Sequence, residues 1–328
     1  MNDILVGILN GINSVIHNYG WSMIVFTLLI KLLILPLDYK SRKSMRRMTN
    51  LQPEMMKLQK KYANDKEKLN QKTAELYRRE GISPMSGCLP MMVSMVILYI
   101  MFAAMRTVAS TQLAEQTIEL LTTGAQANES WLWIKNIWMP DSPFHSVMAD
   151  TANLRMIPAD IWAKTFAALS ADASKVNALA AFGIDASTIS GETVFAALQT
   201  LPQYVEETKL WATMPHVNLI IANLSIYANN NGWFILPVLA AVTQYLMTLS
   251  QPQAAATDPN NPQASTGKFM KYFFPLFSLW ICSSQNAMFS LYWVVSNVFA
   301  WGQSVMMNKI FENKEKKEQQ SIGEESLK

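Results

Sequence analysis

The stretch from Gly20 to Leu37 reads GWSMIVFTLLIKLLILPL, apolar almost throughout, with one lysine, Lys31, inside it. A run of that length suits a helix crossing the hydrocarbon core of a bilayer. A lysine near the middle of such a helix costs about 2.5–3.5 kcal/mol on the insertion scale, so it needs an environment that compensates it. The default is a side chain facing protein or water within the membrane. The alternative is snorkelling, because Lys31 lies six residues before Leu37, about 9 Å from that end at helical rise.

Composition agrees with a membrane protein. Half of the 328 residues are hydrophobic and 16% are charged, against about 25% charged in soluble domains. Cys88 and Cys282 sit beside or inside apolar segments and read as packing residues. His17, His145 and His216 are far apart, and no metal-ligand spacing occurs. Residues 1–19 carry apolar side chains at helical spacing and no Lys or Arg, which predicts an amphipathic interfacial helix rather than a cleavable signal peptide, the plain alternative being a soluble amphipathic helix packed on the protein itself.

Five spans are expected, at 20–37, 86–108, 233–250, 272–284 and 285–307, the last two forming a tight antiparallel hairpin. Residues 38–80 hold 13 Lys+Arg and 6 Asp+Glu, whereas 109–232 hold 5 and 11. The positive-inside rule therefore puts 38–82 in the cytoplasm and the N-terminus outside, and counting spans leaves the C-terminus inside. Within 38–82, Asn64-Asp65 interrupts two loosely amphipathic polar stretches, which predicts a cytoplasmic helical hairpin. A solvated surface is the plain reading of its charge, and docking of a partner is the functional one.

The extracytoplasmic loop 109–232 carries an aromatic stretch, Trp131 to Pro140, suited to a membrane surface. Its 150–231 part holds Ala-rich amphipathic runs and reads as a helical insertion without chemistry. Residues 251–271 read as a cytoplasmic loop, flexible over 251–267, and 308–328 as a charged cytoplasmic tail.

Three local patterns carry a resemblance. Leu35-Pro36-Leu37 follows the intramembrane lysine and leads into a basic stretch with Leu51-Gln52-Pro53. Ser83-Pro84-Met85-Ser86-Gly87-Cys88-Leu89-Pro90 opens the second segment. Leu291-Tyr292-Trp293-Val294-Val295-Ser296-Asn297 lies in the fifth. In this order the chain resembles the YidC-type membrane protein insertases, of the YidC/Oxa/Alb superfamily, over about residues 20–108 and 233–310. The resemblance implies an all-α polytopic protein with five transmembrane helices around a hydrophilic groove, in a bacterial plasma membrane. It implies nascent membrane proteins as substrates, with the ribosome and the Sec translocon as candidate partners of the 38–82 hairpin and the tail. The family usually has Arg at the position of Lys31, often Gln at that of Ser94, and Tyr at that of Trp293.

Polarity inside the segments supports the same reading. Thr27 shares a face with Lys31 one turn away. Thr243 and Gln244 in the third segment, and Asn286, Ser290, Ser296, Asn297 and Gln303 in the fifth, cannot face hydrocarbon cheaply. Thr27, Lys31, Ser94, Thr243, Gln244, Ser290, Tyr292, Trp293 and Asn297 are the candidate groove residues. Interhelical hydrogen bonding is the structural reading for Ser94, Thr243 and Gln244, and packing is that for Trp293. No nucleotide, metal or cofactor is expected, since no phosphate-binding loop is present. A solute transporter or channel would also need a charged centre, but the internal repeats or glycine-broken helices that mark many of them are missing. An intramembrane enzyme would need a nucleophile beside a base, and all three histidines fall outside the segments.

Overall fold

Helix length is the first consequence of these patterns. The structure, a computed structural model, describes residues 2–81, 89–218, 223–250 and 262–325. Helix α1 spans Asn2–Ile16. It stops at His17, which takes a positive φ of 56°. The Asn18 Oδ1 then accepts the Trp21 amide at 3.2 Å, capping α2. Helix α2 runs Tyr19–Asn50, 32 residues, or about 48 Å at 1.5 Å per residue, well beyond a hydrocarbon core of about 30 Å. Pro36 lies inside it and removes one rung of its ladder.

Two short polar helices follow, α3 (Gln52–Lys61) and α4 (Lys66–Arg79). Asp65 caps α4 by accepting the Lys68 amide at 3.0 Å. Arg79 at the end of α4 bridges Glu54 at the start of α3 at 2.8 Å, so the two run antiparallel. Both partners are exposed, and such a pair contributes about 0–1 kcal/mol.

Helix α5 (Leu89–Thr123) leads to α6 (Thr151–Arg155), α7 (Ala159–Leu169), α8 (Ala173–Ala180), α9 (Gly191–Leu198) and α10 (Pro202–Thr213). Strands β1 (His216–Asn218) and β2 (Asn223–Ser225) pair antiparallel, His216 opposite Ser225. Then come α11 (Ile235–Ser250), α12 (Pro262–Ser284) and α13 (Ala287–Glu325). Among the described residues, the helical stretches Tyr19–Lys61 and Met95–Thr123 are long and apolar enough to cross a membrane, and α1 and α11 are shorter apolar helices.

The chain forms two compact units, and α2, α5, α11, α12 and α13 contribute residues to both. The first holds 1–26, 100–240 and 278–294. Its core includes Met105, Ile118, Ile137, Leu154, Trp162, Leu179 and Leu198, all buried. Helix α6 packs on α9 so closely that a Cβ at Gly191 would strike the Leu154 carbonyl, which is why glycine opens α9. The second unit holds 27–99, 241–277 and 295–328.

Several expectations need correction. Helices α2, α5 and α13 continue past the ends assigned to their spans, to Asn50, Thr123 and Glu325. Helix α12 starts at Pro262, so helix replaces loop over 262–271. Past Val108 and Met307 no Pro or Gly stands at the edge, and Glu, Lys, Gln and Ala hold a helix about as well as Leu does. At the first span the helix runs through Pro36, and α12 takes Pro262 as its first residue and carries Gly267 inside. The 131–140 stretch is no membrane-surface belt. Trp131, Ile134, Ile137, Trp138 and Met139 are buried in the first unit, while Leu132 is exposed. Trp138 packs edge-on against Tyr19 at 4.9 Å, and a Cβ at Gly20 would strike Trp131. The ribbon β1–β2 was not anticipated; the 150–231 reading was helical.

Candidate functional site

Helix α2 wears its polarity inside out. Leu28, Leu29, Leu32 and Leu33 are exposed, Leu33 by 77%, while Thr27 is fully buried. Lys31 is half-buried. Residues 27, 31, 38 and 42 fall within about 60° of arc at 100° per residue, so Thr27, Lys31, Asp38 and Arg42 form one stripe along the helix. A soluble helix buries leucine and exposes lysine; this arrangement fits a helix with lipid on its outer face.

Other polar side chains of the second unit are also buried: Thr243, Gln244 and Thr248 on α11, and Asn297, Gln303 and Ser304 on α13. Asn297 Nδ2 and Gln303 Oε1 are buried with no hydrogen-bond partner among the described residues. Such atoms are costly in a dry core and cheap beside water or a polar ligand. Ser94 lies in α5, but its side chain is outside the described residues.

The far end of the stripe is tied to α13. Gln303 Nε2 donates to Asp38 Oδ2 at 3.4 Å. Arg42 Nη1 donates to Ser304 Oγ at 2.8 Å, and that hydroxyl donates to the Ser250 carbonyl at 2.6 Å. Asn308 Nδ2 reaches the same carbonyl at 3.1 Å, so α11 ends against α13. One turn further, Arg46 binds Glu315 through two hydrogen bonds of 2.9 Å, and its guanidinium lies 5.5 Å from the Phe311 ring. Residues 297, 304, 308, 311 and 315 share one face of α13, which explains why all five positions are of types that can meet a partner.

Ser290, Tyr292 and Trp293 belong to the first unit. Ser290 is buried, and its hydroxyl donates to the Cys282 carbonyl at 2.9 Å. The half-buried Trp293 donates Nε1 to Ser278 Oγ at 3.2 Å. The two pairs, 282 with 290 and 278 with 293, set α12 and α13 antiparallel. Tyr292 is buried. Ser290 and Trp293 therefore hold the helix pair together, whatever else they do.

A single loop closes the ends of two helices in the first unit. Asp141, fully buried, accepts the Trp233 amide on Oδ1 at 2.9 Å and the Leu236 amide on Oδ2 at 2.6 Å. Trp133 Nε1 adds a third bond at 3.3 Å. The carboxylate thus caps α11 from 95 residues away. The carbonyls of Met139 and Ile137 accept the amides of Ala287 and Met288, the first two of α13, at 2.9 and 3.1 Å. Asn231 Nδ2 donates to the carbonyls of Asn136, Met139 and Pro140 at 2.7, 3.0 and 3.0 Å and fixes the loop.

Outside the spans, burial holds the His145 imidazole below its ordinary pKa of 6.5, with Asp150 pulling the other way. Hydroxyl and amide donors of Ser187 and Thr188 lower Asp185 to about 2. That aspartate is exposed and shapes a turn.

Asp38, Arg42, Ser278 and Ser304 were missed from the sequence. Asp38 and Arg42 looked like the start of a basic surface. Their spacing of seven and eleven from Lys31 was the available signal, and it points to the stripe only if α2 continues past Leu37.

The family described as 60Kd inner membrane protein matches residues 11–182 and 192–316. A membrane protein insertase YidC of Fusobacterium nucleatum is 45% identical over 107 residues, 33% of this chain and 52% of that protein. Another of the same name, from Chlorobaculum tepidum, is 36% identical over 142 residues, 43% of this chain and 22% of the relative. A third, from Leptospira interrogans, is 39% identical over 126 residues, 38% and 18% respectively. The chain thus spans about half or less of the length of these relatives.

Proposed function

The chain belongs to the 60Kd inner membrane protein family, and from that premise we propose that it is a membrane protein insertase of a bacterial plasma membrane. The observation that carries the proposal is the stripe Thr27–Lys31–Asp38–Arg42 on a helix whose opposite side is exposed leucine.

In this reading the protein crosses the membrane five times, with the N-terminus outside, the α3–α4 hairpin and the C-terminus in the cytoplasm, and 109–232 outside. Thr27, Lys31, Ser94, Thr243, Gln244, Ser290, Tyr292, Trp293 and Asn297 line a hydrated groove open to lipid. A substrate's polar tail dwells in that groove, its acidic groups near Lys31, while its apolar span slides out into lipid. An apolar residue contributes about 0.3–0.6 kcal/mol, so a span of about twenty contributes on the order of 6–12 kcal/mol. Each tail carboxylate at mid-bilayer costs about 2.5–3.5 kcal/mol. Hydrophobicity alone therefore drives a tail with one or two charges, and a wet groove with a cation reduces the barrier on the way. No nucleotide enters the scheme and no bond is made or broken, so the protein acts as a chaperone, not an enzyme. The basic hairpin and tail are the docking surfaces for the ribosome or the Sec translocon.

The test is reconstitution. Proteoliposomes containing only this purified protein should integrate a small single-span substrate, read as protease protection of its translocated tail. Empty liposomes should not. Solute flux without integration would replace this reading with that of a channel or transporter.

A further inference from the structure

The first unit holds an open cavity of about 80 Å³ between α5, the loop before α7 and the α12–α13 turn. Its polar lining includes Arg106, Asn153, Gln285 and Asn286, and its apolar floor includes Phe102 and Phe289. None of its lining residues is Asp or Glu. A cavity with a cation, several amides and no carboxylate has the chemistry of an anion site. Its volume accommodates several waters, hence a phosphate group.

Arg106 is the residue that needs an explanation. Its guanidinium is exposed and donates to the Met156 carbonyl at 3.3 Å. No carboxylate lies within ion-pair distance of it among the described residues. It sits at the end of the second expected span, on the side where basic residues are scarce: 109–232 hold only 5 Lys+Arg. A cation there runs against the positive-inside bias, and a headgroup phosphate would compensate it. At the apolar floor Phe102 and the buried Phe289 meet edge-on at 5.4 Å, beside the polar lining.

We infer that this cavity binds the headgroup phosphate of an anionic phospholipid, with Arg106 as the recognising cation. The occupant is anionic rather than zwitterionic because a headgroup ammonium would find no carboxylate among the lining residues. Placement in the outer leaflet rests on the orientation proposed above; binding itself does not.

The full chain in detergent micelles is titrated with phosphatidylglycerol, phosphatidylcholine, inorganic phosphate or an acidic peptide, and bound ligand is counted by native mass spectrometry. One phosphatidylglycerol should be retained in preference to phosphatidylcholine. Arg106→Gln should weaken that retention at least about tenfold, the loss of a charge-assisted contact, and Arg106→Lys should restore part of it. A phosphatidylglycerol carrying a photoreactive headgroup should label the wild type at Met105, Met156 or Phe289, which needs no variant to fold. Equal retention of both lipids, labelling only elsewhere, tighter binding of phosphate alone or of the peptide, or an unaffected Arg106→Gln would each overturn the inference. Because micelles have no sides, a failed insertion assay or a reversed topology leaves this result standing.

Discussion

Replacing Asp141 by alanine removes the acceptor for three donors at once. The amides of Trp233 and Leu236 and the Trp133 indole all point at its carboxylate, at 2.9, 2.6 and 3.3 Å. Asp141 is fully buried, so the orphaned Leu236 amide costs about 1–3 kcal/mol and the part-buried Trp233 and Trp133 donors less. The carboxylate also opposes the positive end of α11, worth up to about 2 kcal/mol in a buried setting. The terms are not additive, because water enters the vacated space; a net loss of about 3–5 kcal/mol is expected. Asp141→Asn keeps the shape and one acceptor, and should lose about 2–3 kcal/mol. The assay is hydrogen exchange of the Trp233 and Leu236 amides in the full-length protein. At 1.4 kcal/mol per factor of ten, a 3 kcal/mol loss speeds their exchange roughly 150-fold. Amides in α7 serve as the internal reference and should change less. Unchanged protection at Leu236 in the alanine variant would show that α11 does not depend on this cap. Equal protection in the asparagine variant would show that its charge is irrelevant.

Lys31→Arg should retain insertion, while Lys31→Ala should lose it in part for substrates with acidic tails and spare those with neutral tails; equal effects on paired substrates that differ only in tail charge would remove Lys31 from the electrostatic part of the scheme. A cysteine at Ala63 should label only from the cytoplasmic side and one at Ala180 only from outside, and swapped labelling would overturn the whole orientation. The pKa of His145 is lowered in the folded protein, so the unfolded chain binds its proton first as pH falls. Its contribution to stability is complete above about 6.5 and is lost as pH drops from there toward the folded value. Limited proteolysis of 129–232 should accelerate across that window, and His145→Gln should flatten the dependence.

The long apolar helices were legible because apolar length is a local property, as is the position of Lys31 inside such a run. The α3–α4 turn was legible too, since Asp65 caps from three residues away. Helix ends were not: nothing at Val108 or Met307 forbids another turn, the change there being in polarity rather than backbone preference, and at Leu37 the helix continues in spite of Pro36. The 131–140 stretch misled for a related reason. Tryptophan suits both a membrane surface and a buried site, and what decides here is Asn231 and Gly20, distant in sequence. Arg42 and Ser304 could not be paired in advance, since their bond joins positions 262 residues apart.

The loop through Asp141 also ties two late helices to an early part of the chain. Its acceptors for α11 and α13 are synthesised roughly 95 and 150 residues before the amides they receive. Each late helix therefore begins against acceptors supplied by the earlier chain, once Asn231 has closed on that loop. Helices α6–α10 lie between the loop and Asn231, whose return to it closes the excursion. Errors in the early loop are inherited by both helices together.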